Sequence, residues 1–255
     1  MAWTAWSQRK GYDVAQVDVF SGAAFLWAET VCRVLRRADR PYILTLHGGD
    51  LPRFSKRHPR RVQRLLGSAN AVTVPSKYLL ETMRPYRNDL LLLRNGIDLN
   101  RYRFRLRENP APRLVWLRAF HQIYNPSLAP RVVALLQEEF PDIRLTMIGP
   151  DKDGSWSATR RTALDLCVFD RIEWSAGIPN EQVPEVLEQS DVFLNTTDFD
   201  NSPVSVMEAL ACGLCVVTTD VGGLPYLLND GDNALLVPRD DAHAMAGAVR
   251  RVLKE

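Results

Sequence analysis

The sequence has no long apolar run, and its first residues do not resemble an export signal. No stretch reaches the roughly 18 apolar residues that a membrane-spanning helix needs. Residues 1–7 lack the charged start, apolar centre and small-residue cleavage site of a secretory leader. These absences predict a cytoplasmic protein.

Cysteine and histidine are scarce, with four of each. Cys212 and Cys215 form a Cys-x-x-Cys pair, but no second pair or histidine cluster completes a zinc site. We expect both to be small buried residues where a helix gives way to a strand. The sequence also lacks the Walker A, His-Glu-x-x-His and Gly-x-Ser-x-Gly motifs, so nothing indicates NTP hydrolysis, zinc proteolysis or α/β-hydrolase chemistry.

The composition is that of a globular protein, with 46% hydrophobic and 24% charged residues, which excludes collagen-like, coiled-coil and disordered classes. Short β-rich runs alternate with longer amphipathic segments, which is typical of α/β folds with parallel sheets. The predicted strands are 14–20, 42–46, 71–74, 90–93, 113–117, 144–148, 192–194, 215–218 and 234–237. The predicted helices are 24–37, 60–66, 76–83, 126–139, 157–166, 181–189, 204–211 and 242–254.

The best domain boundary follows residues 95–98 (Asn-Gly-Ile-Asp), where a strand ends in turn chemistry. An irregular segment with Pro110 and Pro112 comes next. We therefore divide the chain into domains 1–100 and 101–255.

The net charge is only +2, but the two parts of the chain differ in sign. Residues 1–110 contain 20 Lys and Arg against 9 Asp and Glu, whereas residues 111–255 contain 12 against 21. The basic residues are densest from Arg53 to Arg64, a stretch that fits either a solvated helix face or a surface attracting an anionic membrane, a phosphorylated substrate or nucleic acid. Phe54 is its one Phe, Tyr or Trp and no nucleic-acid motif is present, so we expect peripheral contact with the inner face of a membrane and no nucleic-acid partner.

A helix start near residue 203 is the most informative local feature. Ser202 is a good N-cap and Pro203 suits the first helical position, so the amides of Val204 and Ser205 should lack intrahelical partners. Free N–H groups at the positive end of a helix bind anions.

Two carboxylates flank this predicted anion site. Asp200 lies just before the helix and Glu208 lies further along it, and both can accept hydrogen bonds from hydroxyl groups beside a phosphate. A nucleotide sugar supplies both kinds of group. The alternative interpretation is an ordinary capped helix with surface acids.

The segment resembles the hallmark of the retaining family 4 glycosyltransferases, which have the GT-B fold. In that family an acid is followed eight residues later by glutamate, then by Ala-Cys-Gly and a Gly-Gly loop. The matching residues are Asp200 and Glu208, 211–213, 221–225, 229–231 and 235–238, with weaker matches at 47–49, 95–98, 148–149, 177–179 and 191–194. The resemblance implies an α/β fold with two Rossmann-like parallel-sheet domains facing a crevice, the N-terminal one incomplete.

The resemblance also implies roles for individual residues. Glu208 would bind the ribose, Asp200 would hold the donor sugar, and Arg118 with the helix amides would hold the diphosphate. Arg118 follows a predicted strand, and its guanidinium can bind phosphate oxygens in a bidentate manner. The implied catalytic residues are His47, Arg118 and Asp200; the donor-binding residues are Gly149, Ile178, Ser202, Pro203, Val204, Ser205 and Glu208; and the acceptor-side residues are His47, Gly48 and Gly49.

The sequence departs from the family pattern in three ways. Asp200 stands where glutamate is usual. The family's Lys-Gly, five or six residues after the arginine, is replaced around Tyr124, so one phosphate-binding cation is missing unless His121 or another basic residue substitutes for it. The chain is also short for two complete doubly wound domains, which would leave an edge strand and apolar surface exposed.

We therefore predict a metal-independent glycosyltransferase that needs no cofactor. It would move a sugar, with retention of configuration, from a nucleoside-diphosphate sugar to a glycan, phosphorylated or lipid-linked acceptor, as in polysaccharide biosynthesis. A non-catalytic nucleotide-sugar-binding or scaffold protein is one alternative. Another is a metal-dependent GT-A enzyme in which Asp198 and Asp200 bind a divalent ion.

Overall fold

The computed structural model describes residues 2–255, which form two compact units. The first unit comprises the chain up to Asn95 together with Asp200–Ser202, and the second comprises Gly96–Phe199 with Pro203–Glu255. Each unit has its own parallel sheet with helical connections, as the alternating sequence pattern predicts. No helix in the described part of the chain has the length and apolar character needed to cross a membrane.

The first unit contains a four-stranded parallel sheet in the order β1-β2-β3-β4. Its strands are β1 (Ala15–Val19), β2 (Tyr42–Leu46), β3 (Ala71–Val74) and β4 (Leu91–Leu92). Its helices are α1 (Ala2–Ser7), α2 (Ala23–Arg37), α3 (Leu51–Arg57), α4 (Pro59–Leu66) and α5 (Lys77–Met83).

One apolar core holds this unit together. In α2 the buried residues Phe25, Ala28, Cys32 and Leu35 recur every three or four positions, so they lie on one face of the helix. This face packs with the buried side chains of β1, β2 and β3. Burial raises the pKa of the Cys32 thiol to about 11, so this cysteine stays neutral and serves packing.

The second unit contains a six-stranded parallel sheet in the order β10-β9-β8-β5-β6-β7. Its strands are β5 (Arg113–Leu117), β6 (Arg144–Ile148), β7 (Ile172–Ser175), β8 (Val192–Asn195), β9 (Cys215–Thr219) and β10 (Leu235–Val237). Its helices are α6 (Leu128–Leu136), α7 (Ser155–Asp165), α8 (Val183–Gln189), α9 (Val204–Ala211), α10 (Leu224–Leu227) and α11 (Ala242–Lys254). The central strand β8 is buried at every position, as expected of a parallel sheet covered on both faces.

Several elements differ from the sequence prediction. The predicted strand list omits β7, whose four residues mix apolar and charged side chains, and the predicted helix list omits α1, α3 and α10. The basic stretch forms two helices, α3 and α4, because Pro59 suits a first helical turn and not a helix interior. Cys212 is buried as expected, whereas Cys215 at the start of β9 is half-buried.

An ion-pair network holds the irregular segment 101–112 against the rest of the second unit. Asp191, directly before β8, has a side chain only 1% exposed, and its Oδ1 accepts a hydrogen bond from Arg105 at 2.6 Å. Its Oδ2 accepts one from Arg113 at 2.8 Å. The buried guanidinium of Arg107 lies 3.4 Å from Oδ1. Three arginines therefore share one buried carboxylate.

Replacing this carboxylate tests the network. Burial acts to raise the pKa of Asp191, but hydrogen bonds from Arg113 and Arg105 outweigh it and hold the pKa below its ordinary value. We expect Asp191→Asn to lower the free energy of unfolding at neutral pH by about 3–5 kcal/mol, because Arg107 stays buried without its counter-charge. Urea unfolding of the variant and the wild type measures this difference.

The same pKa shift fixes the pH dependence. A depressed pKa in the folded state gives stability that is complete above the unfolded value of about 3.9 and is lost as the pH falls through the folded value. The wild type should therefore lose more stability than Asp191→Asn as the pH falls below about 4. The same loss in both proteins would contradict the assigned role of Asp191.

Candidate functional site

A cavity of about 240 Å³ lies within the second unit, at the carboxyl ends of β5 and β6. This is the edge where open α/β sheets bind ligands. Four of the predicted donor-side residues line it together with the predicted phosphate ligand: Arg118, Gly149, Ile178, Ser205 and Glu208. The fold thus brings together residues that are far apart in the sequence.

Arg118 follows β5 directly, and its backbone N–H donates to the carbonyl of Ile148 at 3.1 Å. Its guanidinium carbon lies 4.2 Å from the centre of the Tyr124 ring, which is a cation–π contact. Tyr124 stands in the region where the family pattern has Lys-Gly. In place of a second cation, this chain therefore has an aromatic ring that orients the guanidinium of Arg118.

Gly149 allows two strand ends to approach each other closely. A Cβ atom at this position would lie 1.7 Å from the carbonyl oxygen of Arg118, closer than any real contact. Its backbone N–H donates to the carbonyl of Ser175 at the end of β7. The glycine therefore sets the distance between the Arg118 backbone and the end of β6.

Helix α9 spans Val204–Ala211, the range in the predicted helix list, but its N-terminal cap differs from the prediction. Pro203 is the N-cap, in an extended conformation and without a side-chain cap, so the prediction of Ser202 as N-cap and Pro203 as first helical residue was wrong. Ser202 instead belongs to the first unit, where its carbonyl accepts a hydrogen bond from the Asn95 side chain at 2.9 Å. The N–H groups of Val204 and Ser205 still precede the first intrahelical bond, as the anion-site prediction requires.

Ser205 and Glu208 continue the lining of the cavity along α9. Ser205 is 7% exposed, and its buried hydroxyl has no hydrogen-bond partner among the described residues. Buried polar groups are normally satisfied, so an unpartnered hydroxyl beside a cavity indicates a place for a ligand atom. One turn further along, the Oε1 atom of Glu208 accepts a hydrogen bond from the Tyr102 hydroxyl at 2.6 Å.

In the first unit, His47 lies at the end of β2, one residue before two glycines. Its Nε2 atom is 3.1 Å from Asp18 Oδ1, and its ring stacks on Phe20 with centroids 5.1 Å apart. The carboxylate and the ring together hold the imidazole in one orientation. Gly48 has a φ of +85°, in the left-handed region that favours glycine.

Residues 200–202 also belong to the first unit. A Cβ at Gly49 would lie 2.7 Å from the backbone nitrogen of Asp200, so glycine is needed for this approach. Asp200 is 7% exposed and its Oδ1 accepts from the backbone N–H of Asn201 at 2.9 Å. The Ser76 hydroxyl donates to the Asn201 side chain. The predicted residues Gly49 and Asp200 therefore adjoin each other.

Asp198, the other acid of the metal-binding alternative, belongs to the second unit. Burial raises the pKa of its carboxyl, and its Oδ1 atom lies 4.0 Å from Arg239 Nε. Among residues 2–255, no group of three or more His, Cys, Asp or Glu side chains is placed to hold a metal ion.

Asp18 and Tyr102 of the candidate site were not predicted from the sequence, and Tyr124 was named there only as the place of a missing cation. Asp18 lies between the buried residues Val17 and Val19 in β1, and this alternation predicts only that its side chain faces solvent. Its partner His47 lies 29 positions away. The signal for Tyr124 was present, because it occupies the region where a cation was expected and absent.

Comparison with known proteins gives the following matches. Residues 111–255 match the family model described as glycosyl transferases group 1, and residues 1–101 match the model described as glycosyltransferase family 4. The chain is 30% identical to the putative colanic acid biosynthesis glycosyltransferase WcaL of Salmonella typhimurium, over 60% of this chain and 39% of WcaL. It is 25% identical to the amylovoran biosynthesis glycosyltransferase AmsK of Erwinia amylovora, over 86% of this chain and 57% of AmsK.

The chain therefore spans about half the length of these curated relatives. Among solved structures, Anabaena Alr3699/HepE in complex with UDP and glucose matches with a TM-score of 0.82 at 17% identity, over 100% of this chain and 72% of HepE. This likeness, together with the two parallel sheets, confirms the predicted GT-B class of α/β fold.

The close approach at Gly149 can be tested by substitution. We expect Gly149→Ala to lower the free energy of unfolding by about 1–3 kcal/mol, because two backbone segments must separate to admit the methyl group. Gly247→Ala in α11 is the matched control, since a Cβ there meets no atom within 4 Å. That variant should be unchanged or about 0.5–1 kcal/mol more stable. Urea unfolding compares the three proteins, and equal stability of Gly149→Ala and wild type would contradict the contact.

Proposed function

The chain belongs to the glycosyl transferases group 1, and from this membership we propose that it transfers a sugar from a nucleoside-diphosphate sugar to a hydroxyl acceptor. The observation behind the proposal is the cavity that Arg118, Gly149 and Glu208 line together with Ser205, the second residue of α9. The unpartnered hydroxyl of Ser205 supports it, since a phosphate or ribose oxygen would satisfy that group.

The reaction requires the leaving diphosphate to be stabilised as negative charge develops on it. Arg118 supplies a positive charge with bidentate geometry, and its stacking on Tyr124 restricts the guanidinium before the ligand arrives. The free N–H groups of Val204 and Ser205 add the positive end of α9. Preorganised donors of this kind stabilise a charge that develops in the transition state.

The remaining predicted site residues have different proposed roles in the two units. In the second unit, Glu208 would accept hydrogen bonds from the ribose, and Gly149 and Ile178 would border the base. In the first unit, His47 and Asp200 would orient the reacting sugar and the acceptor. Gly48 and Gly49, which have no side chains, would let the acceptor approach the backbone closely. Retention of configuration is the outcome that the family 4 resemblance implies.

The choice of donor and acceptor follows the relatives. HepE was solved with UDP and glucose, so a UDP-sugar is the first donor to test. WcaL and AmsK are named for the biosynthesis of colanic acid and amylovoran, so we propose a growing glycan, free or lipid-linked, as the acceptor.

Substitution of the proposed phosphate ligand tests the donor site. Arg118→Lys keeps the charge but loses the planar fork and much of the ring stacking. We expect about tenfold weaker binding of UDP, GDP or ADP, whichever the wild type binds, as measured by calorimetric titration. Arg144→Lys at the start of β6 is the matched control and should bind like the wild type.

The titrations also separate the alternatives. Binding that survives EDTA and accompanies sugar transfer supports the metal-independent glycosyltransferase. Binding without transfer would favour the non-catalytic binding protein, and binding abolished by EDTA would favour the metal-dependent enzyme. No binding of any of the three nucleotides to a folded protein would overturn the proposed function.

We also propose that the first unit contacts an anionic membrane through an arginine cluster on α2 and α4, defined as Arg33, Arg36, Arg61 and Arg64. Glu29 lies among them, and Arg61 pairs with it through two hydrogen bonds, at 2.7 and 2.5 Å. The other three arginines are exposed. A surface with this excess of positive charge complements anionic lipid headgroups, at about 1 kcal/mol per basic residue near the surface.

Vesicle sedimentation tests this contact. We expect the protein to co-sediment with phosphatidylglycerol vesicles and not with phosphatidylcholine vesicles, and the binding to weaken as salt is added. Arg33→Glu combined with Arg64→Glu should abolish co-sedimentation, whereas Arg144→Glu in the second unit should leave it unchanged. Equal binding by all three proteins would contradict the proposal.

A further inference from the structure

The hydrogen bond between Tyr102 and Glu208 gives a new role to the segment that follows the first unit. Tyr102 lies directly after a 3-10 turn at Leu99–Arg101, and its hydroxyl donates to Glu208 Oε1 at 2.6 Å. We infer that Tyr102 is a positioning residue that fixes the Glu208 carboxylate and so makes the site selective for ribose over deoxyribose. This inference rests on the proposed donor site.

The position of Tyr102 is fixed on both sides without help from its hydroxyl. On its N-terminal side, Asp98 caps the 3-10 turn, and Arg101 donates to the carbonyl of Asn180, a cavity residue, at 2.6 Å. On its C-terminal side, Arg105 binds Asp191. The Arg105 carbonyl also lies against Gly213 just beyond α9, where a Cβ would approach it to 2.4 Å.

The hydroxyl is therefore not needed to hold Tyr102 in place, and its hydrogen bond serves to orient the Glu208 carboxylate. A glutamate side chain has three rotatable bonds. If the Glu208 side chain had to be ordered when the ligand binds, the entropy lost would weaken the affinity of the site. A carboxylate accepts about four hydrogen bonds, so one from Tyr102 leaves capacity for ribose hydroxyls. Burial and the bond to Glu208 raise the pKa of Tyr102, so the phenol remains a donor.

This arrangement differs from a purely structural bond in one measurable respect. If Tyr102 only stabilised the fold, its loss would weaken all nucleotides equally. If it orients Glu208 toward the ribose, its loss weakens only nucleotides that carry the hydroxyl groups.

The test is a calorimetric comparison of the ribonucleoside diphosphate that the wild type binds, among UDP, GDP and ADP, with its 2′,3′-dideoxy form. We expect the wild type to bind the ribo form about tenfold more tightly, which corresponds to one charge-assisted hydrogen bond. In Tyr102→Phe this ratio should fall toward one, while affinity for the dideoxy form stays within about twofold. Tyr12→Phe, which removes a tyrosine hydroxyl bonded to the Ala5 carbonyl in the first unit, should keep the wild-type ratio.

A second variant shows whether Tyr102 acts through Glu208. Glu208→Gln should also erase the ribo preference, and adding Tyr102→Phe to it should change the ratio no further. Three results would overturn the inference: no ribo preference in the wild type, an unchanged ratio in Tyr102→Phe, or equal weakening of both nucleotides. Failure of the wild type to bind any nucleoside diphosphate would overturn the proposed function itself, which distinguishes the two.

Discussion

The buried carboxylate of Asp191 is the interaction on which the layout of the second unit depends. A single acid that gathers three guanidinium groups is costly to desolvate, and it is favourable only because its oxygens are also fully hydrogen-bonded. It holds a segment that has no regular secondary structure of its own. Because that segment carries Tyr102 toward α9, a charge at the start of one strand determines how a glutamate on a helix is oriented.

The proposed donor site combines few charges with many geometric constraints. One guanidinium stacks on a ring, one glycine lets two strand ends meet, and one helix start presents free amides around an unsatisfied hydroxyl. An arginine that is held in place loses less conformational entropy on binding than a flexible one. By holding the Arg118 guanidinium in place, Tyr124 can therefore offset part of the binding free energy that the charge of the absent lysine would contribute.

The sequence predicted most of the fold because its strands are local features. The predicted bounds of β2, β3, β5 and β6 match the structure, since each is a short apolar run between turn residues. Strand β7 was not predicted, because it is an edge strand of only four residues in which apolar and polar side chains are mixed. The N-cap of α9 was misassigned, because Ser202 is held by Asn95, a residue 107 positions away, and does not cap the helix that follows it.

The candidate site was predictable to a lesser degree, and for the same reason. Residues within one motif, such as Ser205 and Glu208, could be assigned from spacing. Asp18 and Tyr102 could not, because their partners lie 29 and 106 positions away and nothing local distinguishes them from ordinary surface residues. Such pairings follow from topology, which places distant residues side by side.

The attachment of residues 101–112 has a consequence for any attempt to divide the protein into separately expressed parts. The family match for the second unit starts at residue 111, which makes that position an obvious place to cut. A cut there would remove Arg105 and Arg107 from Asp191 and Tyr102 from Glu208, and of the three arginines only Arg113 would still pair with the buried acid. A cut between Asn95 and Gly96 would keep residues 101–112 with the second unit, to which they belong.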